Sequence, residues 1–306
     1  MSIRQIEDNY LPNSMEGLNV APLYDELCKC VLSKKEVIAW IIKHTLQDYS
    51  GFTIEELRTM YIYGDPCVDQ IMREGHESDF LLKNNIKYDV RTRLKNPVVD
   101  QGDVLIDIEA QNENYPGYRI IKRAIYYIGT MIAEQKGIEF EKDDYNGLKR
   151  VVSIWICTQP AGYRRNSINR FSFVEQDLDG DSREYDQADA CMGEIVMIHL
   201  GGGAEPGGLL YLLELLLYRV IPSREKIRIL EEMYHMSINT EFEKEVVTMC
   251  NLSQGLIERG REQGRQDYLT DRIRSKIQKG NSIEEIADAM EESIETVSWI
   301  IKNLDK

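Results

Sequence analysis

The chain has 306 residues, a formal net charge of -15, 42% hydrophobic residues and 29% charged residues. Such a composition suits a soluble globular protein with one large domain and an appendage. The acidic balance excludes broad, unspecific adhesion to nucleic acid, which needs clustered cations, but leaves room for a local basic strip or a bound divalent metal.

The first residues, with Pro12, Asn13 and Gly17, read as a loose lead-in without the apolar core of a secretory signal. Leu27, Val31, Ile38, Ile41, Ile42 and Leu46 recur at a helical period and predict a helix from Leu23 to about Asp48. Thr53 precedes Glu56 at capping-box spacing and starts a second helix. Residues 64–80 carry Gly64, Pro66 and Gly75 and read as loop with room for a short strand.

In Ile86–Leu94, alternation puts Ile86, Tyr88 and Val90 on one face and Lys87, Asp89, Arg91 and Arg93 on the other. Pro97 and Gly102 mark a break. Val104–Gln111 alternates again, with Val104, Ile106, Ile108 and Ala110 opposite Asp107, Glu109 and Gln111. Tyr118 to about Glu134 returns to a helical stripe, and Val151–Cys157 is a β-branched run expected of a strand buried on both faces. Residues 160–188 read as a long loop, locally basic at Arg164, Arg165 and Arg170. Ile195–Leu200 is a further strand, in which His199 reads as a core residue, and Gly201–Gly203 is a flexible connection.

Everything after Gly208 reads as helical. The apolar run Gly208–Ile221 is too short to span a bilayer and contains Glu214 and Arg219, so a buried helix is expected and no membrane role. A long charged helix from about Glu241 to Gln266 forms a stem. Asp271–Leu304 reads as three short helices, and its core GNSIEEIADAMEESIETVSWII resembles a helix-turn-helix, with Ser282 and Ser293 as caps, but Glu295 in the second helix does not suit base reading. Cysteines 28, 30, 67, 157, 191 and 250 form no C-x-x-C pair, which implies reduced thiols in a cytoplasmic protein and no zinc site.

The two polar rows carry the chemistry. Hard divalent cations take oxygen ligands, and metal-dependent nucleases need carboxylates converging on one point. Asp89 on one strand and the Glu109–Gln111 row on the next meet that need, and the Ala110 backbone carbonyl could complete a metal shell. Asp107 shares the face of Glu109 and is an equal candidate, and a polar row is also what the solvated face of a half-covered sheet presents.

The run IDIEAQ, followed by Tyr118, Arg123 and Tyr127 in YRIIKRAIYYIGTMIAEQ, resembles the recombination-promoting nuclease (Rpn) and transposase-like family of the PD-(D/E)XK superfamily. KYDVR, YDELCKCVLSKKEVIAWIIKHTL, SIWIC and MCNLSQGLIERGREQGRQ also fit that family, so the resemblance runs from about Tyr24 to Gln266. It implies a restriction-endonuclease-like α/β core with a mixed central sheet flanked by helices, cleaving DNA with Mg2+ or Mn2+ in recombination or mobile-element biology. Asp89 and Glu109 would then hold the metal, and Gln111 would stand where the wider superfamily has lysine. Glutamine brings no positive charge, though its amide can orient water or a phosphate oxygen. Lys87, Arg91 or Arg93 is a candidate for the missing cation, and Glu36 on the opening helix for an extra ligand, with Asp25 and Glu77 as further contenders. Arg119 and Arg123 read either as DNA contacts or, for Arg123, as the partner of an acid at the sheet.

The expected organisation is a nuclease-like core over 20–205, a helical extension over 206–267 and a helix-turn-helix-like module over 268–306. DNA is the expected partner, with a homodimer formed through the C-terminal helices. The alternative function is a catalytically degenerate nuclease fold serving as a protein-interaction or DNA-binding accessory.

Overall fold

A computed structural model describes residues 20–71, 87–98, 102–176, 178–179, 191–290 and 292–303. Ile86 and Glu77 lie outside the described residues. Two compact units emerge, one spanning Asn19–Cys250 and one containing Asn251–Lys306.

The larger unit is an α/β layer structure. Helices α1 (Val20–Leu32) and α2 (Lys35–Thr45) open it, and the short helix α3 (Ile54–Glu56) follows. The continuous helix expected over Leu23–Asp48 is divided at Ser33–Lys34, where the Ser33 hydroxyl donates to the Cys30 carbonyl at 2.8 Å. Such a local hydroxyl bond competes with the helical ladder. Thr53 caps α3 as its spacing predicts, with Glu56 completing the reciprocal pair of bonds.

Strands β1 (Cys67–Ile71), β2 (Lys87–Leu94), β3 (Val104–Gln111), β4 (Arg150–Cys157), β5 (Ser167–Ser172) and β6 (Gly193–His199) form one mixed sheet, ordered β1-β2-β3-β4-β6-β5. The outer pairs are antiparallel, and β3, β4 and β6 run parallel at the centre. Parallel neighbours need a crossover, and helix α4 (Ile120–Ala133) supplies the one between β3 and β4. The expected loop over 160–188 is corrected in part, because Ser167–Ser172 pairs with β6 along the sheet edge. Its largely exposed, polar side chains gave no burial pattern to read.

One face of the central strands packs beneath α4. Leu105, Val151, Trp155, Ile195 and Met197 of the sheet meet Ala124, Tyr127, Ile128 and Met131 of the helix in one apolar cluster. Trp155 is fully buried, stands edge-on to Tyr127 and donates its indole N–H to Ser153 Oγ at 2.8 Å. Helix α1 lies against β2 and β3.

Helices α5 (Leu209–Leu217) and α6 (Ser223–Glu232) fall in the same compact unit as the sheet. Every residue of α5 but one is buried, as an all-round apolar helix requires. Its Glu214 is buried too, and pins the glycine segment after β6 by accepting from the backbone N–H groups of Gly201 (3.3 Å) and Gly202 (2.8 Å) while pairing with Arg219 (2.9 Å). The expected connection at 201–203 is thus tied to α5 at Gly201 and Gly202, with Gly202 at φ +76.

Helix α7 (Thr240–Gln278) runs on into the C-terminal unit, where α8 (Ile283–Met290) and α9 (Ile294–Asn303) follow. Leu269, Ile273, Ile286, Ala287, Val297 and Ile300 form its small core. Ser282 and Ser293 cap α8 and α9 through Glu285 N–H and Thr296 N–H, as their positions predict. No described helix is long and apolar enough to cross a membrane.

Trp155 is the largest side chain in the cluster that seats α4 on the sheet. Trp155→Ala is expected to cost about 3–5 kcal/mol, the usual range for truncating a buried Trp or Phe. Urea unfolding of the purified chain measures this, and a cost under about 1 kcal/mol would show that α4 is seated by other contacts.

Candidate metal and nucleic-acid site

Asp89 and Glu109 stand where β2 and β3 part. The ladder between these strands is complete from Leu94↔Val104 to Val90↔Ile108 and stops there. Beyond it, carboxylates take over the backbone donors. Asp89 N–H donates to Glu109 Oε1 at 3.0 Å, and Ala110 N–H donates to Asp89 Oδ2 at 3.1 Å. Buried N–H groups need acceptors, and here each strand offers an acidic side chain in place of a carbonyl.

The parting also corrects the expected alternation. Tyr88 packs into the α4 cluster, edge-on to Tyr127 and beneath the Arg91 guanidinium, rather than sharing a face with Val90. Asp89 instead meets α1, where Lys29 Nζ lies 3.2 Å from Asp89 Oδ1 and 2.9 Å from Asp25 Oδ2.

A cavity of about 290 Å³ opens at this point, lined by Asp25, Asp89, Glu109, Ala110, Gln111, Asn112, Glu113 and Arg123. Asp89, Glu109, Ala110 and Gln111 are thus brought together. Arg123 joins them from α4, with its guanidinium 3.4 Å from Glu109 Oε2, donating to the hydroxyls of Tyr127 (3.1 and 2.6 Å) and Tyr118 (3.3 Å), and lying over the rings of Tyr127 and Trp155. The acid-pairing reading of Arg123 is the one seen here, and its side chain also lines the cavity. Gln111 turns its amide to the Glu113 carbonyl at 3.0 Å.

Asp107 lies deeper than the cavity wall. It is fully buried, with Oδ2 accepting from Ser153 Oγ at 2.8 Å, so Glu109 is the acid of this strand that reaches the cavity. Glu36 is not brought to it, and pairs with Arg58 at 3.6 Å on the helical side. Arg91 is taken up by Glu134 at 2.5 Å, and Arg93 by Glu139 and by Asp103 at 3.3 Å. Neither arginine is therefore presented to a substrate in this arrangement. Lys87 and Arg119 are exposed. Lys29 went unnoticed in the sequence, where its only signal was the i,i+4 spacing from Asp25.

The electrostatics follow from crowding. Asp25, Asp89, Asp107 and Glu109 crowd together, with Lys29 and Arg123 beside them and with Arg91, itself paired to Glu134, near Asp107. Burial, then the Asp107 and Asp89 charges, push Glu109 up to about 10. Burial, partly offset by Ser153 and Arg91, raises Asp107 to about 7. Asp89 is also raised, by burial, with Lys29 and the Ala110 N–H opposing. The buried Asp107 Oδ1 has no hydrogen-bond donor, which penalises the ionised form of Asp107.

A divalent cation fits this donor set. It would replace the proton held among the carboxylates, and each carboxylate oxygen keeps lone-pair capacity beyond the single bond described for it. Among the described residues no cluster of three or more His, Cys, Asp or Glu side chains is arranged to hold a metal, so the set is two carboxylates with backbone support. No protein-family model, no curated protein and no solved structure matches the chain.

Glu109 holds its proton more tightly in the folded chain than in the unfolded one, where its ordinary value is 4.5. Its contribution to stability is therefore complete below about pH 4.5 and is lost as pH rises towards 10. Glu109→Gln cannot ionise and escapes this loss. In metal-free buffer the variant should melt within a degree or so of the natural chain at pH 5 and at least about 3 °C above it at pH 8.5, on the usual scaling of Tm with stability. Thermal melts at the two pH values test this, and a variant that melts lower at pH 8.5 would show that Glu109 is ionised when folded.

Proposed function

We propose that the chain is a metal-dependent endonuclease that hydrolyses phosphodiester bonds in DNA, built on a restriction-endonuclease-like PD-(D/E)XK core. The observation that carries this reading is the meeting of Asp89 and Glu109 at one cavity, at the point where β2 and β3 part. The element order α1, α2, α3, β1, β2, β3, α4, β4 around a mixed sheet is compatible with it. So does the resemblance of IDIEAQ and the segment after it to the recombination-promoting nucleases.

Asp89, Glu109 and the Ala110 carbonyl would hold Mg2+ or Mn2+. A cation bound there supplies Lewis-acid activation of water and offsets the charge that develops on the phosphate. The chain's own groups do the positioning. Bonds from the Asp89 and Ala110 N–H groups fix the two carboxylates relative to each other. Arg123, braced by Tyr118 and Tyr127, places a permanent positive charge on the cavity wall. This charge answers the lack of a lysine at Gln111, whose amide is committed to the Glu113 carbonyl.

One observation favours the second reading, a degenerate nuclease fold used for binding alone. The Lys29 ammonium already lies between Asp25 and Asp89 and partly neutralises them. Calorimetric titration with Mn2+ separates the two, because the degenerate fold would take up no metal.

Nicking of supercoiled plasmid in Mg2+ or Mn2+ is the direct assay. The natural chain should nick, and Asp89→Asn and Glu109→Gln should lower the rate by at least about 100-fold, the upper end of what loss of a metal ligand's outer partner costs. Cleavage undiminished in both variants, or absent from the natural chain under every metal, would overturn the nuclease reading.

A further inference from the structure

The loops beside the cavity differ in chemistry from the rest of the chain. Residues 158–174 (TQPAGYRRNSINRFSFV) contain no acid, although the whole chain carries -15. Tyr163, Arg164 and Arg165 are exposed there, Tyr163 at 86%, and the Arg164 guanidinium lies over its ring at 5.7 Å. The neighbouring loop leaves the cavity directly from Gln111 and carries Tyr115, 64% exposed, and then Tyr118 and Arg119, both exposed.

The two loops are tied together. Thr158 N–H donates to the Gln111 carbonyl at 3.0 Å, and Thr158 Oγ1 to Asn112 Oδ1 at 2.8 Å. Ala161 N–H donates to Asn114 Oδ1 at 3.1 Å. These bonds hold Tyr115, next to Asn114, and Tyr163, shortly after Ala161, on one rim with the arginines. The bonds run through backbone, the Thr158 hydroxyl and asparagine side chains, and the rings of Tyr115 and Tyr163 stay exposed.

Exposed large apolar rings cost free energy in water unless a partner covers them. Interleaved with cations, they match one partner chemistry: a nucleic-acid strand whose bases stack on the rings while the guanidinium groups meet its phosphates. Paired bases in a duplex keep their faces to each other and offer no such surface. We infer that this rim binds an unpaired nucleic-acid strand, stacking bases on Tyr115 and Tyr163, and that it feeds the single-stranded part of a DNA substrate to the cavity. The feeding role rests on the nuclease reading; the binding does not.

Fluorescence anisotropy in EDTA, with labelled oligothymidine and a blunt duplex of equal length, tests the binding without cleavage. The single strand should bind at least about tenfold tighter than the duplex, and Tyr115→Ala with Tyr163→Ala should weaken it by about tenfold or more, with an unchanged melting temperature. Arg164→Ala with Arg165→Ala should flatten the salt dependence of the same binding. Equal binding of duplex and single strand, or single-strand binding untouched by the tyrosine pair, overturns the inference. Tight single-strand binding without plasmid cleavage upholds it and defeats the nuclease reading, while plasmid cleavage without single-strand preference does the reverse.

Discussion

The site depends on one exchange of hydrogen-bond partners, in which the carboxylates of Asp89 and Glu109 replace the ladder between β2 and β3. A regular antiparallel ladder would have continued past Val90↔Ile108 through backbone carbonyls and kept the strands together. By accepting those N–H groups, the acids part the strands and are themselves held within reach of each other. The cost is two carboxylates taken largely out of water. Lys29 offsets it from α1 and Arg123 from α4, so each flanking helix contributes one cation to the same pair of acids.

The fold makes this arrangement rigid on one side and open on the other. Strand β3 stays paired with β4 through Gln111↔Cys157 after β2 has left it, so Glu109 cannot drift. Trp155 opposite Glu109 and Tyr127 above it form the floor on which the Arg123 guanidinium rests. Asp107 sits one layer down, held by Ser153 and raised to about 7 chiefly by burial, and its charge adds to the burial that makes Glu109 so reluctant to ionise. A proton or a metal ion at Glu109 thus answers one physical demand: positive charge among buried oxygens.

Much of this was legible in the sequence, and the exceptions have physical causes. Val104–Gln111 alternates cleanly, and only a strand repeats with a period of two, so its span and the place of Glu109 could be read directly. The parting at Asp89 could not, because alternation assumes an unbroken pleat, and Tyr88 and Arg91 share a face only where the pleat breaks. Lys29 was hidden because it meets Asp89 through the tertiary fold, and in the chain it looks like an ordinary helical partner of Asp25. The choice between Asp107 and Glu109 rested on depth, which the period of a strand does not encode. Arg91 and Arg93 looked free in a polar row, yet Glu134 and Glu139 from beyond α4 claim them.

Net charge, finally, describes this molecule poorly because its charges do different jobs. Several of the acids stand in the first turns of helices, such as Glu55 and Glu56 in α3 and Glu284 and Glu285 in α8, where they answer the positive end of the helix dipole. Others are consumed in pairs with arginine, as at Arg150 with Asp48 (2.6 Å) and Glu194 (2.7 Å). The cavity is lined mainly by acids, whereas residues 158–174 carry three arginines and no acid. On the proposed reading, a strand of phosphates at that rim would meet the cavity carboxylates, and positive charge bound among them, a proton or a metal ion, would lower the repulsion. A metal bound there would also, on that reading, admit the substrate, and the -15 would be compatible with a nucleic-acid substrate.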